Sequence, residues 1–512
     1  MRKNKSKFQF LLIFFIFVLL PISSLIENNI NNSRISEIAE LNYEEHSFSL
    51  KSSGIINTSY FNYYKEITID CSKVEEELIN FPLLISIDDT DLHTEVQPDG
   101  DDIAFYNGSD WLDYEIELFK QDYDETHARL VAWVKIPLLS NSTDTKIYMY
   151  YGNTTMETQQ NSIAVWTSNY KGVWHLNTTL LDSTSNNNDG INYGADDVSS
   201  HIANGRAYNG IDDSSDMSSD PSLGNIFNGG GTISAWIYPK GWGGADYGRI
   251  LAKSSLPDGS NGWVMCVDGE ASPAANHHLL FFRGFDVERG LWYTPEDSIS
   301  LNQWQYIVVT YDDTSKDYVP SIYINGEPQS PLVPEPSPKG SAVNDTTQSV
   351  FIGNYEVDGN RAFNGSIDEV RISSVDHSYG WILTEYRNQN DPDSFYNVSA
   401  AISLDTTPPN VKINLPNQNN LFGSTAPNFN VSINDNHVID KMWYRLLNGT
   451  IITINTTFTT NGTIDEARWA EMGNGTVTIQ FFANDSNGNI GYSEVVVRKD
   501  IIFPAIVINS PS

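Results

Sequence analysis

The chain has 512 residues, with 65 Asp and Glu against 30 Lys and Arg and a formal charge of -35. That length calls for several domains rather than one core. So acidic a surface repels phosphate backbones, which excludes nucleic acid as the expected partner, keeps a surface protein soluble and suits calcium, a seeker of hard oxygen ligands.

In chain order, residues 1–26 read as a signal peptide or signal anchor. Arg2, Lys3, Lys5 and Lys7 precede the apolar run Phe8 to Leu20, and Pro21 breaks it. The rest of the chain is then expected outside the cytoplasm, secreted or at the cell surface, with this segment as a membrane tether if it is not cleaved. Sequons such as Asn107, Asn141, Asn344 and Asn364 fit that placement as glycan acceptors. Cys71 and Cys266 read as two separate thiols, not a disulfide scaffold. Residues 27–59, rich in Asn, Ser and Glu, read as a flexible spacer.

Residues 60–155 alternate apolar and polar in several runs, including Tyr64–Asp70, Phe81–Ile87, Arg129–Pro137 and Lys146–Asn153, and predict a β-sandwich. The words Asn80-Phe81-Pro82, Asp99-Gly100-Asp101-Asp102-Ile103, Ala132-Trp133-Val134 and Tyr150-Tyr151-Gly152-Asn153 resemble a prokaryotic β-domain family of unknown function, type 2341. That resemblance implies no activity.

Six motifs then follow in order: Gly172–Leu176, Leu181–Gly190, Ile233–Pro239, Gln303–Tyr311, Ile322–Glu327 and Phe363–Ile372, the last read as a Gly-containing turn and an alternating strand. Together residues 165–399 resemble the LamG-like, concanavalin A-like jelly roll. The resemblance implies an extracellular recognition module more often than an enzyme. It also implies a calcium ion at the rim, with Asp182 and Asp368 in the ligand positions. Tyr379–Gln389 predicts a short helix, stopped by Asp391-Pro392 and packing back onto a sandwich.

Thr406-Thr407-Pro408-Pro409 reads as a stiff linker. Strand-like runs from Val411 to Val497 at sandwich spacing, with the turn Ala483–Asn489, resemble a prokaryotic immunoglobulin-like domain over residues 405–500. Asp500, Pro504, Ile508, Asn509 and Pro511 repeat the spacing of Asp405, Pro409, Ile413, Asn414 and Pro416, so residues 501–512 read as the truncated start of a second repeat. The fold class is all-β: tandem β-sandwiches behind an N-terminal signal or anchor helix.

Candidate ligand-binding residues are Trp242, in the Gly-rich loop 241–248, and Trp292 and Tyr293 beside another turn. Loops at a sandwich edge gather binding residues, and aromatic rings offer flat platforms to sugars. His277, His278 and Arg283 add polar groups. Trp174, Trp236 and Trp304 are expected to close the jelly-roll core. Asp113, Glu115 and Glu117 share one face of a strand whose other face is Leu112, Tyr114, Ile116 and Leu118. Paired carboxylates are what glycoside hydrolysis needs, but this alternation reads as the wet side of an antiparallel strand. No catalytic residue is assigned. The expected function is cell-surface recognition or adhesion toward carbohydrate or glycoprotein. A non-binding stalk protein is the second reading and a polysaccharide hydrolase the third.

Overall fold

A computed structural model describes residues 58–502, apart from 270–276, 331 and 358. The predicted leader, nearly all of the spacer and most of the second repeat lie outside the described residues. Among the described residues no helix is long and apolar enough to cross a membrane.

The fold is all-β, as composition and alternation predict. The first sandwich packs a three-stranded sheet, Leu78–Asp89, Ala128–Leu139 and Tyr114–Lys120, onto a five-stranded one. Tyr63–Ile69 and Thr145–Tyr151 are the middle of the second sheet. Its edge comes from far along the chain. Tyr396–Val398 pairs antiparallel with Tyr63–Ile69, placing Ile67 opposite Val398, and Ile402–Ser403 pairs with Tyr63 and Tyr64. Phe395 and Tyr396 enter the same core as Ile67, Phe81 and Trp133's neighbour Ala132. The jelly roll is thus inserted into the first sandwich, whose last strands follow it in sequence.

The jelly roll stacks two eight-stranded sheets. Gly231–Gly241 and Asn364–Ser373 are central in the first, with Trp236 opposite Asp368. Gly365 lies within that strand rather than in a turn; its φ is +148°, and a Cβ there would meet the Tyr238 carbonyl oxygen at 2.1 Å. The second sheet runs through Gly290–Tyr293, Leu279–Arg283, Trp263–Val267 and Arg249–Lys253. Ile233, Ala235 and Ile237 face the core between the sheets, so period-2 alternation turns Trp236 outward. Of the three tryptophans expected to close that core, only Trp174 belongs to it. Trp236 and Trp304 instead pack beneath the helix, with Tyr306 and Ile382.

That helix spans Tyr379–Asn390, and the Ser378 hydroxyl oxygen caps it by accepting from the Trp381 N–H. It touches both sandwiches: Ile382 and Tyr386 cover the jelly roll, while Trp381 meets Phe81 edge-on at 5.2 Å. Residues 410–499 form a third sandwich of three and five strands around Trp469, Phe429 and Phe481.

Candidate functional site

The acid strand has an environment that alternation alone does not reveal. A β-bulge places Ile116 opposite Ala132 and Leu118 opposite Val131, so Glu117 is the extra residue. Tyr114, Ile116 and Phe119 therefore face the first core, and Leu118 turns to the other side. That other side is not wet. It is covered by Val165, Trp166, Tyr170, Val173 and Ile202, which pack with Leu84, Val131 and Trp133.

The carboxylates beneath this cover accept hydrogen bonds from its side chains, although Glu117 Oε1 is left without a hydrogen-bond partner. The Trp166 indole N–H donates to Glu115 at 2.9 Å, the Ser183 hydroxyl to Glu115 at 2.5 Å and the Trp133 indole N–H to Glu117 at 3.0 Å. His175, in the jelly roll, bridges them. Its Nδ1 lies 2.6 Å from Glu369 and 3.5 Å from Glu117, and its Nε2 lies 3.4 Å from Glu115. Arg371 pairs with Glu369 at 2.8 Å and with Glu385 of the helix, and its guanidinium lies 4.3 Å over the Trp133 ring. Asp113 stands apart, paired with Lys135 at 2.7 Å.

Burial alone would discharge His175, but Glu369, Glu117 and Glu115 outweigh it and hold its pKa well above the ordinary value. Glu117 goes up strongly through burial and the facing Glu369. Glu115 goes down, because His175, Ser183 and Trp166 outweigh its burial. This is an interdomain ionic joint, so the acid strand is not the solvated face that its alternation suggests.

Each predicted calcium residue is buried and accepts hydrogen bonds from the protein, and Asp368 Oδ1 has no hydrogen-bond partner. Asp182 Oδ1 accepts from the Val173 and Thr184 N–H groups, and Oδ2 from the Thr184 hydroxyl and the Asn188 N–H. Four hydrogen bonds use all its lone pairs in ordering a turn. Asp368 accepts from the Ile202 N–H and shares no hydrogen-bond partner with Asp182. Its carboxyl is raised well above the ordinary range by burial and by Glu369.

The aromatic candidates separate in the same way. Trp292 is 1% exposed and lies in the sandwich core against Phe281 and Tyr311, so it is not a ligand platform. Neighbours on a strand face opposite ways, so Tyr293 points outward and donates its hydroxyl to Glu335 at 3.1 Å. Trp242 is half-buried and stacks on His277 at 4.3 Å. His278 goes to Tyr293 instead, and Arg283 is buried in ion pairs with Asp313 and Asp345.

Tyr293 leads to a groove of about 610 Å³ on the outer face of the second jelly-roll sheet. Leu280, Phe282, Leu291 and Tyr293 form its floor, each the outward neighbour of a core residue. Arg249, Arg289 and Arg361 line it, with Arg361 4.9 Å over the Tyr247 ring and Arg249 5.3 Å over Phe282. Arg289 pairs with Asp258 at 2.8 Å, whereas among the described residues neither Arg249 nor Arg361 ion-pairs with a carboxylate. Arg249 is 1% exposed and donates to Cys266 Sγ and the Pro257 carbonyl. Burial pulls its guanidinium below the usual range; Cys266 opposes this and Arg361 adds to it. Cys266 and Cys71 are both free thiols. Sequence reasoning found Tyr293 but missed Tyr247, Arg249 and Arg361. The available signal was an arginine opening the strand Arg249–Lys253, whose middle is apolar, in a chain poor in basic residues.

Residues 209–382 match the family model of the concanavalin A-like lectin/glucanases superfamily, so the chain carries a jelly-roll domain of that class. Residues 99–189, from within the first sandwich into the start of the jelly roll, match a domain of unknown function (DUF2341). No curated protein matches the chain. Among solved structures, a Trypanosoma rangeli sialidase in complex with the inhibitor DANA is 13% identical over 49% of this chain and 41% of its own, with a TM-score of 0.30. The chain thus spans about two fifths of that enzyme's length. The binding domain of botulinum neurotoxin serotype G is 14% identical over 62% of this chain and 73% of its own, with a TM-score of 0.32. A Ruminococcus gnavus IT-sialidase CBM40 bound to alpha2,3 sialyllactose is 11% identical over 38% of this chain and 97% of its own, with a TM-score of 0.26.

Proposed function

We propose that this is an exported surface-recognition protein that binds a carboxylate-bearing glycan in the groove of its jelly roll. The observation that carries the reading is the pair of groove arginines, Arg249 and Arg361, without carboxylate ion-pair partners among the described residues. A guanidinium fork matches a carboxylate, and aromatic rings beside it offer a face to the sugar. The groove holds rather than cleaves. Burial pushes Asp258 up, but Ser260 and Arg289 outweigh it and keep the carboxyl below its ordinary range, the reverse of what a general acid requires. Asp182 is saturated, so binding in this reading does not depend on calcium there. The third sandwich serves as an immunoglobulin-like spacer.

A glycan array of neutral and uronate-bearing oligosaccharides, with and without chelator, tests it. Saturable hits confined to the acidic glycans, kept in chelator and weakened at least tenfold by Arg361→Ala, are the expected result. No saturable hit would favour the stalk reading, and release of reducing ends from the bound glycan would favour a hydrolase.

A further inference from the structure

We infer that Asp405, Asp435 and His437 form a binding site for a divalent transition-metal ion of zinc's class, at the junction of the first and third sandwiches. One donor atom from each lies within 4.8 Å of the others. The donors come from separate pieces of chain: Asp405 ends the tail of the first sandwich, and Asp435 and His437 lie in the turn between strands Asn428–Asn434 and Ile439–Leu447 of the third.

Two of the donors are buried and have no hydrogen-bond partner. His437 is 9% exposed at its side chain, and its Nδ1 makes no hydrogen bond; neither does Asp435 Oδ2. His437 Nδ1 and Asp405 Oδ2 lie 3.3 Å apart, within ion-pair distance but with no hydrogen bond between them. Two ligands each about 2.1 Å from a tetrahedral ion lie roughly 3.4 Å apart, so this spacing suits two atoms facing a common centre.

The remaining atoms of each side chain are held in place. Asp405 Oδ1 accepts from the Thr407 N–H and the Asn436 amide, and Asp435 Oδ1 accepts from the His437 N–H. His437 Nε2 lies 3.2 Å from the Tyr63 hydroxyl, and that hydroxyl also bonds the Glu95 carboxylate. A metal on Nδ1 requires the tautomer in which Nε2 carries the hydrogen, and the Tyr63 hydroxyl stands where it can accept that hydrogen. Two carboxylates match the charge of a divalent ion, and the imidazole supplies a nitrogen donor. The nitrogen donor selects a borderline ion over calcium, which takes six to eight oxygens. The ion would tie the tail to the third sandwich and, through Tyr63, both to the first.

Isothermal titration of the chelator-stripped full chain with zinc chloride, repeated with cobalt for its tetrahedral absorption, tests this. One high-affinity ion per chain is expected. Asp435→Asn keeps the side-chain shape and should weaken it at least a hundredfold while leaving the zinc-free melting curve unchanged. Tyr63→Phe should weaken it roughly tenfold to a hundredfold, as loss of an outer partner does. Cys71→Ser, which disables the rival cluster with Asp70 and Asp144, should change nothing. Absence of a high-affinity event, its survival in Asp435→Asn, or calcium binding as tightly as zinc would overturn the inference.

Discussion

Trp292 and Tyr293 occupy consecutive positions and have opposite physical roles. Trp292→Ala empties a packed site and is expected to cost about 3–5 kcal/mol in a denaturant titration. Tyr293→Ala should leave stability much closer to wild type and act on glycan affinity instead. The rule that separates adjacent histidines onto two faces separates this pair too, but which face is the core depends on the facing sheet. For the same reason the sequence shows Asp113, Glu115 and Glu117 sharing a strand face and not that another domain covers it. His175 is the key residue of that cover, and His175→Gln, leaving buried carboxylates without their cation, should cost about 3–5 kcal/mol. Folding raises its pKa, so its contribution is fully present below the unfolded value of ~6.5 and is lost as pH rises through the folded value. Glu117 and Asp368, also raised, act in the same direction with a window that opens near pH ~4. Glu115 and Glu369, held low, act oppositely: their contribution is present above ~4.3 and lost on acidification. Melting midpoints measured from pH 6 to 9 should fall with pH in the wild type and fall less in His175→Gln; parallel curves would contradict this assignment.

The helix Tyr379–Asn390 was legible from its spacing and its Asp-Pro stop, but its partners were not. Leu84 lies on an edge strand, and Asn388 serves as a substitute strand for it: the Leu84 N–H donates to Asn388 Oδ1 at 2.8 Å and the Asn388 amide donates to the Leu84 carbonyl at 3.1 Å. Asn388→Leu leaves both backbone groups buried and unpaired, at about 1–3 kcal/mol each. Hydrogen exchange should show the Leu84 amide losing protection in the variant ahead of the Ala128–Leu139 strand; unchanged protection would mean the helix is only a cover. The strands Tyr396–Val398 and Ile402–Ser403 were not legible as part of the first sandwich. Each is two or three residues long, and their partner lies more than 300 positions earlier, a separation that local periodicity does not encode.

Across the whole molecule, the late edge strands, the helix and the ionic joint make the first sandwich and the jelly roll one folding unit. A chain ending at residue 409 keeps Phe395, Tyr396 and both edge strands, whereas one ending at residue 390 loses them. The first is expected to melt in a single cooperative step, and the second to lose near-ultraviolet signal or aggregate; equal melting of the two would contradict the insertion. The jelly roll was legible from six ordered motifs because five mark strands and the sixth, Leu181–Gly190, the turn that Asp182 orders, whereas the groove above it was not, because its arginines come from separate strands and loops that only the sheet brings together. The decisive measurement is therefore a crystal structure of the protein with the tightest acidic oligosaccharide from the array. The sugar carboxylate should lie between Arg249 and Arg361, with a ring over Tyr247 or Tyr293. Electron density for the sugar at the Trp242 loop or the rim, with the two guanidinium groups untouched, would contradict it.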